Sequence, residues 1–216
     1  MTDGRFSLEG KKALVTGASR GIGQAIAVAF AQAGADVAIV ARTPEGLAAT
    51  AKQITDLGRT ALELPADLTS RGAAEEVVRT ALRELNQLDI VVNNAGGSSF
   101  MVPFLDLRAS GWEKVLRLNL DATMWICQAA GAHMTARGRG SVINVASVAG
   151  LAAAPLLAPY GAAKAWVISL TKTLASEWGR SGVRVNALCP GWTATDLNRV
   201  LWDTPDGGAS TIAGIP

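Results

Sequence analysis

The sequence predicts an α/β fold in which helices cover both faces of a doubly wound parallel sheet, in a single domain spanning residues 1–216. Short β-branched runs alternate with longer helical patterns along the whole chain. Runs such as Ile90-Val91-Val92 are apolar on both faces, which is typical of a covered parallel sheet. A glycine-rich loop joins the first strand to the first helix, and 49% hydrophobic residues suffice for one core.

Six strands are predicted from the apolar runs, at residues 12–16, 36–41, 60–64, 89–92, 141–146 and 183–188. Five helices are predicted between them, at residues 21–33, 44–57, 70–85, 110–136 and 159–180. Pro44 fits the first turn of the second helix, and Ser70 is expected to cap the third. Gly131 is expected to weaken the fourth helix near its end. Right-handed crossovers between these elements give a Rossmann-type sheet.

The last part of the chain has a different character. A short helical stretch is predicted at about residues 195–202, followed by the turn-rich residues 203–208. We therefore expect residues from about 193 to 216 to be mobile.

Composition narrows the classes of function. The net charge is +2, with acidic and basic residues interspersed, so no nucleic-acid partner is expected. No segment has the length and purity of a membrane span, and the N-terminus lacks the apolar run of a signal peptide. Cys127 and Cys189 are expected to be reduced core residues, which suits a cytoplasmic protein. His133 is the only histidine, so we expect no metal site.

The glycine-rich loop, residues 16–23, predicts a dinucleotide site. Glycine lets backbone N–H groups approach a diphosphate, and the following helix N-terminus adds free donors and partial positive charge. The spacing is G-x-x-x-G-x-G, and the alternative is a merely tight strand–helix turn. The loop residues expected at the cofactor are Gly17, Ser19, Arg20, Gly21, Ile22 and Gly23.

Charge at the end of the second strand favours NADP(H) over NAD(H). An NAD enzyme usually places a carboxylate there, but this strand ends in Ala41-Arg42 and Asp36 lies at its other end. Arg20 and Arg42 can instead face a 2′-phosphate, and one charge-assisted hydrogen bond contributes about 1.5–3 kcal/mol. The alternative is that both arginines are simply solvated.

Two further strand ends carry candidate cofactor residues. Asp67, followed by Leu68, can accept a hydrogen bond from an adenine amino group, or can equally be a turn aspartate. The run after the fourth strand places Asn94, Ala95 and Gly96 at the carboxyl edge, where such sheets bind ligands. By itself this run is only a turn signal.

Ser147, Tyr160 and Lys164 form the candidate catalytic set. Ser147 ends the fifth strand, and Tyr160 and Lys164 are four residues apart, on one face of the next helix. Ser147 is suited to hydrogen-bond a developing alkoxide, and Tyr160 to exchange a proton with it. The Lys164 ammonium is expected to lower the pKa of Tyr160, and it can also hold ribose hydroxyls. Without the other motifs, a helical tyrosine beside a surface lysine is common.

These motifs resemble the short-chain dehydrogenases/reductases, in the same order along residues 8 to about 201, and most closely the 3-oxoacyl-(acyl-carrier-protein) reductases and the glucose and gluconate dehydrogenases. The resemblance implies that Ser147, Tyr160 and Lys164 are catalytic. It also implies that Asn119 positions a water that joins Lys164 to solvent. The loop Pro190-Gly191, with Thr193 or Thr195, resembles the family's nicotinamide-side loop.

The same resemblance implies elements that this chain lacks. The family usually continues past a mobile substrate lid, here residues from about 193 to 216, into another helix and a seventh strand. We favour a truncated chain over a genuine short form with an exposed edge strand at residues 183–188. A homodimer or homotetramer is expected, with the last two long helices available for a dimer contact. The tryptophans on them contribute to that contact or to the core: Trp112, Trp125, Trp166 and Trp178.

The residues near the reactive edge predict a neutral or hydrophobic carbonyl substrate, because they are apolar and include no obvious arginine for a carboxylate: Ser98, Val148, Ala149, Leu151, Leu156, Trp192, Leu197 and Trp202. We expect an NADP(H)-dependent oxidoreductase acting on a ketone or 3-oxoacyl group. The alternatives are a catalytically silent nucleotide-binding or scaffold protein, and a non-redox use of the fold.

Overall fold

A computed structural model describes residues 6–195, 198–203, 205, 206, 208, 209 and 213. Its strands form one parallel sheet of six in the order β3-β2-β1-β4-β5-β6. They are β1 (Lys12–Thr16), β2 (Asp36–Ala41), β3 (Ala61–Pro65), β4 (Ile90–Asn93), β5 (Gly140–Val145) and β6 (Val183–Leu188). The predicted strands are confirmed to within one residue at each end. The strand order reverses between β1 and β4, which is where such sheets bind ligands.

Seven helices occur among the described residues: α1 (Gly21–Gln32), α2 (Pro44–Asp56), α3 (Arg71–Leu85), α4 (Ala109–Leu116), α5 (Ala122–Arg137), α6 (Ala158–Trp178) and the short α7 (Arg199–Trp202). The single long helix predicted at residues 110–136 is wrong in one respect. A π turn at Arg117–Asp121 separates α4 from α5. The predicted stretch at 195–202 falls partly on residues 196 and 197, outside the described residues, as does much of the predicted mobile segment.

Two hydrophobic cores fill the two faces of the sheet. On one face, α1 and α2 pack against β1 and β2, as Leu47 and Ile39 illustrate. On the other face, α3, α5 and α6 pack against the sheet, and Trp125 and Trp178 join this core. The predicted weak point at Gly131 does not end α5, which continues to Arg137. A Cβ on Gly131 would lie 2.4 Å from the Trp178 ring, so glycine is what lets the indole pack on the helix.

Helix starts agree in part with the prediction. Pro44 begins α2, and Thr43 before it accepts a hydrogen bond from the Gly46 amide at 3.3 Å. Ser70 occupies the predicted N-cap position of α3, but its side chain forms no capping hydrogen bond.

The amino edge of the sheet carries a cluster of ion pairs around Asp36. Asp36 pairs with Lys12 and Arg59 and accepts the Thr60 amide at 2.8 Å. Burial raises the pKa of Asp36, but these partners outweigh it and leave the pKa below its usual value. Asp36 is therefore a structural residue at the edge away from the glycine loop. None of the helices in the described parts of the chain has the length and apolar character needed to cross a bilayer.

Candidate active site

The glycine loop is held by the turn that follows β4. The Thr16 hydroxyl accepts the amides of Asn94 and Ala95, each at 3.0 Å. The Asn94 side chain donates to the carbonyls of Thr16 and Gly17 at 3.0 and 3.1 Å. The Asn94 amide is thus engaged in shaping the loop, and the predicted cofactor residues after β1 and β4 form one hydrogen-bonded unit.

The loop has room only for glycine at two positions. A Cβ on Gly23 would lie 2.2 Å from the Gly17 carbonyl oxygen and 2.4 Å from Asn94 Nδ2. Gly17 has φ +65°, and a Cβ there would lie 2.9 Å from the Ala95 Cα. Arg20 precedes α1 without capping it through its side chain. The first-turn amides of α1, including those of Gly21 and Ile22, therefore suit an anionic ligand, and this cradle fits a dinucleotide diphosphate.

Arg20 and Arg42 are both exposed near this cradle. Ser19 packs against the start of α2, since a Cβ on Gly46 would lie 3.3 Å from the Ser19 Cβ. The loop and the N-terminus of α2 are thus neighbours. Among the described residues, no acidic side chain forms an ion pair with Arg20 or Arg42.

Asp67 forms a turn. Its carboxylate accepts hydrogen bonds from the Thr69 amide at 3.0 Å and the Thr69 hydroxyl at 2.8 Å. These bonds, with a smaller contribution from Arg42, lower the pKa of Asp67 against the effect of burial. Leu68 beside it is a buried core residue. The turn interpretation of Asp67 accounts for its contacts, and its contact with adenine stays a prediction.

The structure brings Ser147, Tyr160 and Lys164 together at the carboxyl edge. Ser147 follows β5 and accepts the Ala149 amide at 3.1 Å. Tyr160 and Lys164 lie one turn apart on α6, with the ammonium 5.6 Å from the centroid of the phenol ring. Lys164 is only 3% exposed, and its Nζ donates to the Val145 carbonyl at 2.7 Å. The lysine is therefore anchored to the end of β5.

Burial dominates the electrostatics of the pair. It raises the pKa of Tyr160, and a hydrogen bond with Ser147 lowers it only in part. Burial also lowers the pKa of Lys164 to about 8. The direction for Tyr160 is opposite to the one predicted from the neighbouring ammonium. The phenol has lost solvent, and desolvation favours its neutral form.

Asn119 lies in the π turn, fully buried. Its side chain accepts the Gly97 amide at 2.8 Å and donates to the carbonyls of Gly97 and Val115, both at 2.9 Å. A Cβ on Gly96 would lie 2.6 Å from Asn119 Oδ1 and 3.2 Å from Lys164 Nζ, so both flank Gly96. The amide is used to hold the backbone after β4, and its link to a water stays a prediction.

A buried polar network beneath the site was not predicted. The Asn93 side chain donates to Asn144 Oδ1 at 2.8 Å and to the Cys127 sulfur at 3.2 Å. Asn144 donates to the Thr171 hydroxyl at 2.9 Å, which donates to the Val167 carbonyl at 2.7 Å. Burial raises the pKa of Cys127 to about 12. The available signal was an asparagine in each of two largely apolar strands, Asn93 in β4 and Asn144 in β5.

The segment after β6 approaches the same edge. The Pro190 carbonyl accepts the Val148 amide at 3.0 Å, and Gly191 and Thr193 are exposed. Thr195 lies over the glycine loop, since a Cβ on Gly21 would be 3.3 Å from the Thr195 Cβ. Thr195 therefore borders the predicted diphosphate site.

Several predicted pocket residues are exposed at this edge: Val148, Leu151, Leu156 and Trp192. Ala149 and Trp202 are half-buried, and the Ser98 hydroxyl donates to the Phe100 carbonyl at 2.6 Å. Leu197 lies outside the described residues. In the parts of the chain that the structure describes, no group of three or more histidine, cysteine or acidic side chains could hold a metal ion.

The chain matches the short chain dehydrogenase family over residues 11–206. It belongs to the short-chain dehydrogenase/reductase family. A gluconate 5-dehydrogenase of Gluconobacter oxydans is 38% identical over 196 residues, which are 91% of this chain and 76% of the relative. A 3-oxoacyl-(acyl-carrier-protein) reductase of Synechocystis is 37% identical over 196 residues, 90% of this chain and 79% of the relative. The predicted family is thereby confirmed.

Solved structures share the fold. A gluconate 5-dehydrogenase from Burkholderia cenocepacia in complex with NADP and tartrate superposes with a TM-score of 0.87 and 37% identity, covering 94% of this chain and 79% of that one. An NAD⁺-bound xylitol dehydrogenase gives a TM-score of 0.89 and 28% identity, covering 95% and 84%. The Rossmann-type fold is thus confirmed, and solved relatives hold either of the two nicotinamide cofactors.

Proposed function

We propose that this short-chain dehydrogenase/reductase is an NADP(H)-dependent oxidoreductase that interconverts a neutral carbonyl compound and its secondary alcohol. The observation that carries the proposal is the phenol of Tyr160, beside Ser147 and Lys164, at the same sheet edge as a glycine cradle for a dinucleotide. A silent scaffold would have no need of a buried lysine anchored beside that phenol.

Each side chain has a separate role. The nicotinamide, when bound, supplies or accepts the hydride. Ser147 donates a hydrogen bond to the substrate oxygen and stabilises the charge that develops on it. Tyr160 donates the proton to that oxygen, and its raised pKa keeps the phenol protonated at neutral pH. Lys164, held by the Val145 carbonyl, supplies positive charge beside the phenol and a donor for ribose hydroxyls.

The reaction is tested by NADPH oxidation with a panel that includes ketones, 3-oxoacyl thioesters and keto sugars. Tyr160→Phe is the matched control because it keeps the ring and removes only the hydroxyl. We expect at least about a hundredfold loss of turnover in this variant, the lower end of general acid catalysis. Equal rates in the two proteins would remove Tyr160 as the acid.

The cofactor proposal rests on charge. Arg20 and Arg42 are exposed beside the cradle, and β2 ends without a carboxylate. A solved relative in complex with NADP supports this choice, although another solved relative binds NAD⁺. Fluorescence titration should give a lower Kd for NADPH than for NADH by at least about tenfold. Arg42→Ala should raise the Kd for NADPH and leave the Kd for NADH unchanged. If the ratio of the two Kd values is the same in Arg42→Ala as in the unaltered protein, Arg42 does not bind the 2′-phosphate.

The substrate side and the assembly complete the proposal. The exposed apolar residues Val148, Leu151, Leu156 and Trp192 favour a neutral or hydrophobic carbonyl over a small acid.

For the assembly we propose a homodimer or homotetramer that packs through α5 and α6, whose outer groove includes Gln128, Leu170 and Glu177. Two unpaired cysteines agree with a cytoplasmic location. The assembly is tested by measuring the molar mass of the unaltered protein and of Gln128→Arg by light scattering. We expect the unaltered protein to be an oligomer and the variant to dissociate.

A further inference from the structure

The short 3₁₀ turn at Val148–Gly150 ties Ser147 to its surroundings. The Ser147 hydroxyl accepts the Ala149 amide at 3.1 Å, and the Ser147 carbonyl accepts the Gly150 amide at 3.0 Å. The Val148 amide donates to Pro190 at 3.0 Å. Any displacement of this turn therefore carries Ser147 with it.

The turn rests directly on the backbone of α6. A Cβ on Gly150 would lie 2.7 Å from the Lys164 carbonyl carbon and from the Ala165 nitrogen. These are main-chain atoms of a helix, which cannot rotate away as a flexible side chain does. From the other side, a Cβ on Gly161 would lie 3.0 Å from the Ala149 carbonyl oxygen. The turn and the helix therefore approach each other closely at two places, each occupied by a glycine.

Glycine at position 150 is required for space and not for backbone conformation. Gly150 is absent from the glycines with positive φ, so alanine can adopt its backbone angles. The contact alone opposes a side chain there. Ordinary contact begins at 3.4 Å, so a Cβ at 2.7 Å must move by about 0.7 Å or more.

If a side chain is placed at position 150, the turn should move and α6 should stay in place. α6 is fixed to the sheet by the Lys164–Val145 hydrogen bond at 2.7 Å and by the Thr171–Asn144 hydrogen bond at 2.9 Å. The turn is half-exposed, and Val148 on it is exposed. A side chain at position 150 would therefore push the turn, and Ser147, away from the helix that carries Tyr160.

We propose that Gly150 is a positioning residue that sets the separation between the hydroxyls of Ser147 and Tyr160. The proposal rests on the proposed function and adds to it a residue that touches neither substrate nor cofactor. Displacements near 1 Å can cost about a hundredfold in rate, so a shift of the calculated size matters for catalysis.

The test measures the pKa of Tyr160 directly. Tyr160 is the only tyrosine in the chain, so tyrosinate absorbance during a pH titration reports its pKa without interference from another phenol. The Ser147 hydrogen bond lowers that pKa, and Lys164 is the charged group beside the ring. We expect Gly150→Ala to raise the pKa of Tyr160, in the same direction as Ser147→Ala. In the double variant, Gly150→Ala should add little to the effect of Ser147→Ala, because it acts through that serine.

Gly72→Ala is the matched control, since Gly72 lies on α3 with nothing within 4 Å of its added Cβ. It should leave the Tyr160 pKa and turnover unchanged. With a substrate in hand, Gly150→Ala should lower kcat about ten- to a hundredfold and leave the Kd for NADPH within about twofold. The proposal is overturned if Tyr160 has the same pKa in Gly150→Ala as in Gly72→Ala, even if the activity of Gly150→Ala falls.

A second variant decides the matter if Gly150→Ala does not fold. Gly161→Ala approaches the same turn from α6, and alanine favours a helix over glycine, so the protein should fold. It should raise the Tyr160 pKa in the same direction by a smaller amount, and no rise would overturn the proposal. The titration needs neither cofactor nor substrate. A protein inactive on every carbonyl in the panel would therefore contradict the proposed function without touching this result.

Discussion

Replacing Thr171 by valine tests what the buried polar network contributes to stability. Valine keeps the shape of the side chain and removes only the hydroxyl. That hydroxyl accepts the Asn144 amide at 2.9 Å and donates to the Val167 carbonyl at 2.7 Å. Asn144 has no exposed surface, so its Nδ2 would be left without an acceptor and without water.

The size of the effect follows from that burial. A hydrogen bond contributes about 1 kcal/mol net, and an unsatisfied buried donor costs about 1–3 kcal/mol. The Val167 carbonyl loses one partner but keeps the hydrogen bond of the helix. The lost hydrogen bond is already included in the cost of the unsatisfied donor, so we expect Thr171→Val to lower the free energy of unfolding by about 1–3 kcal/mol.

Urea denaturation followed by tryptophan fluorescence measures this change, because the chain has six tryptophans. Thr173→Val is the matched control. Thr173 is exposed on the same helix and donates to the Ser169 carbonyl at 3.3 Å, so helix propensity and side-chain stiffness change equally in both variants. The control should lie within about 0.5 kcal/mol of the unaltered protein. Two variants of equal stability would refute the reasoning.

Three further results are expected. The difference in free energy of unfolding between the unaltered protein and Lys164→Met should shift in favour of the unaltered protein by about 1 kcal/mol from pH 7 to pH 9. Native Lys164, with its pKa of about 8, releases its proton at a lower pH than the same lysine in the unfolded chain. Denaturation at both pH values checks this, and a constant difference would contradict it. Gly23→Ala should weaken dinucleotide binding at least about tenfold by overpacking the cradle, whereas Gly72→Ala should bind normally in the same titration. In the native protein a thiol reagent should label half-buried Cys189 and leave buried Cys127 unlabelled until denaturant is added, and fast labelling of both would contradict the burial of Cys127.

The strands were predictable because a strand that is buried on both faces is a continuous apolar run in the sequence. Residues 90–92 are all apolar, and no tertiary knowledge is needed to interpret such a run. The π turn at Arg117–Asp121 has no comparable sequence pattern. Over a single turn, the apolar spacing of an i→i−5 helix does not differ enough from that of an α-helix to be recognised.

The candidate site divides in the same way. The grouping of Ser147, Tyr160 and Lys164 followed from helical spacing and from the common edge at which parallel strands end. The pKa of Tyr160 did not, because its direction depends on how much solvent the fold removes from the phenol. Charges can be counted in a sequence, but desolvation is a property of the packed molecule. Asn144 and Thr171 were missed for a related reason, since their contact joins residues 27 positions apart.

The strands beneath the carboxyl edge differ in how many neighbouring strands they bond and in how far they are buried. β1 lies between β2 and β4, and its residues Ala13, Leu14 and Val15 have no exposed surface. β6 is bonded on one flank only among the described strands, and Leu188 at its end is 47% exposed. Amide hydrogen exchange should therefore be slowest at the root of the glycine loop and faster towards Pro190. A ligand that spans this edge would therefore meet the most protected backbone at the glycine loop and the least protected backbone near Pro190.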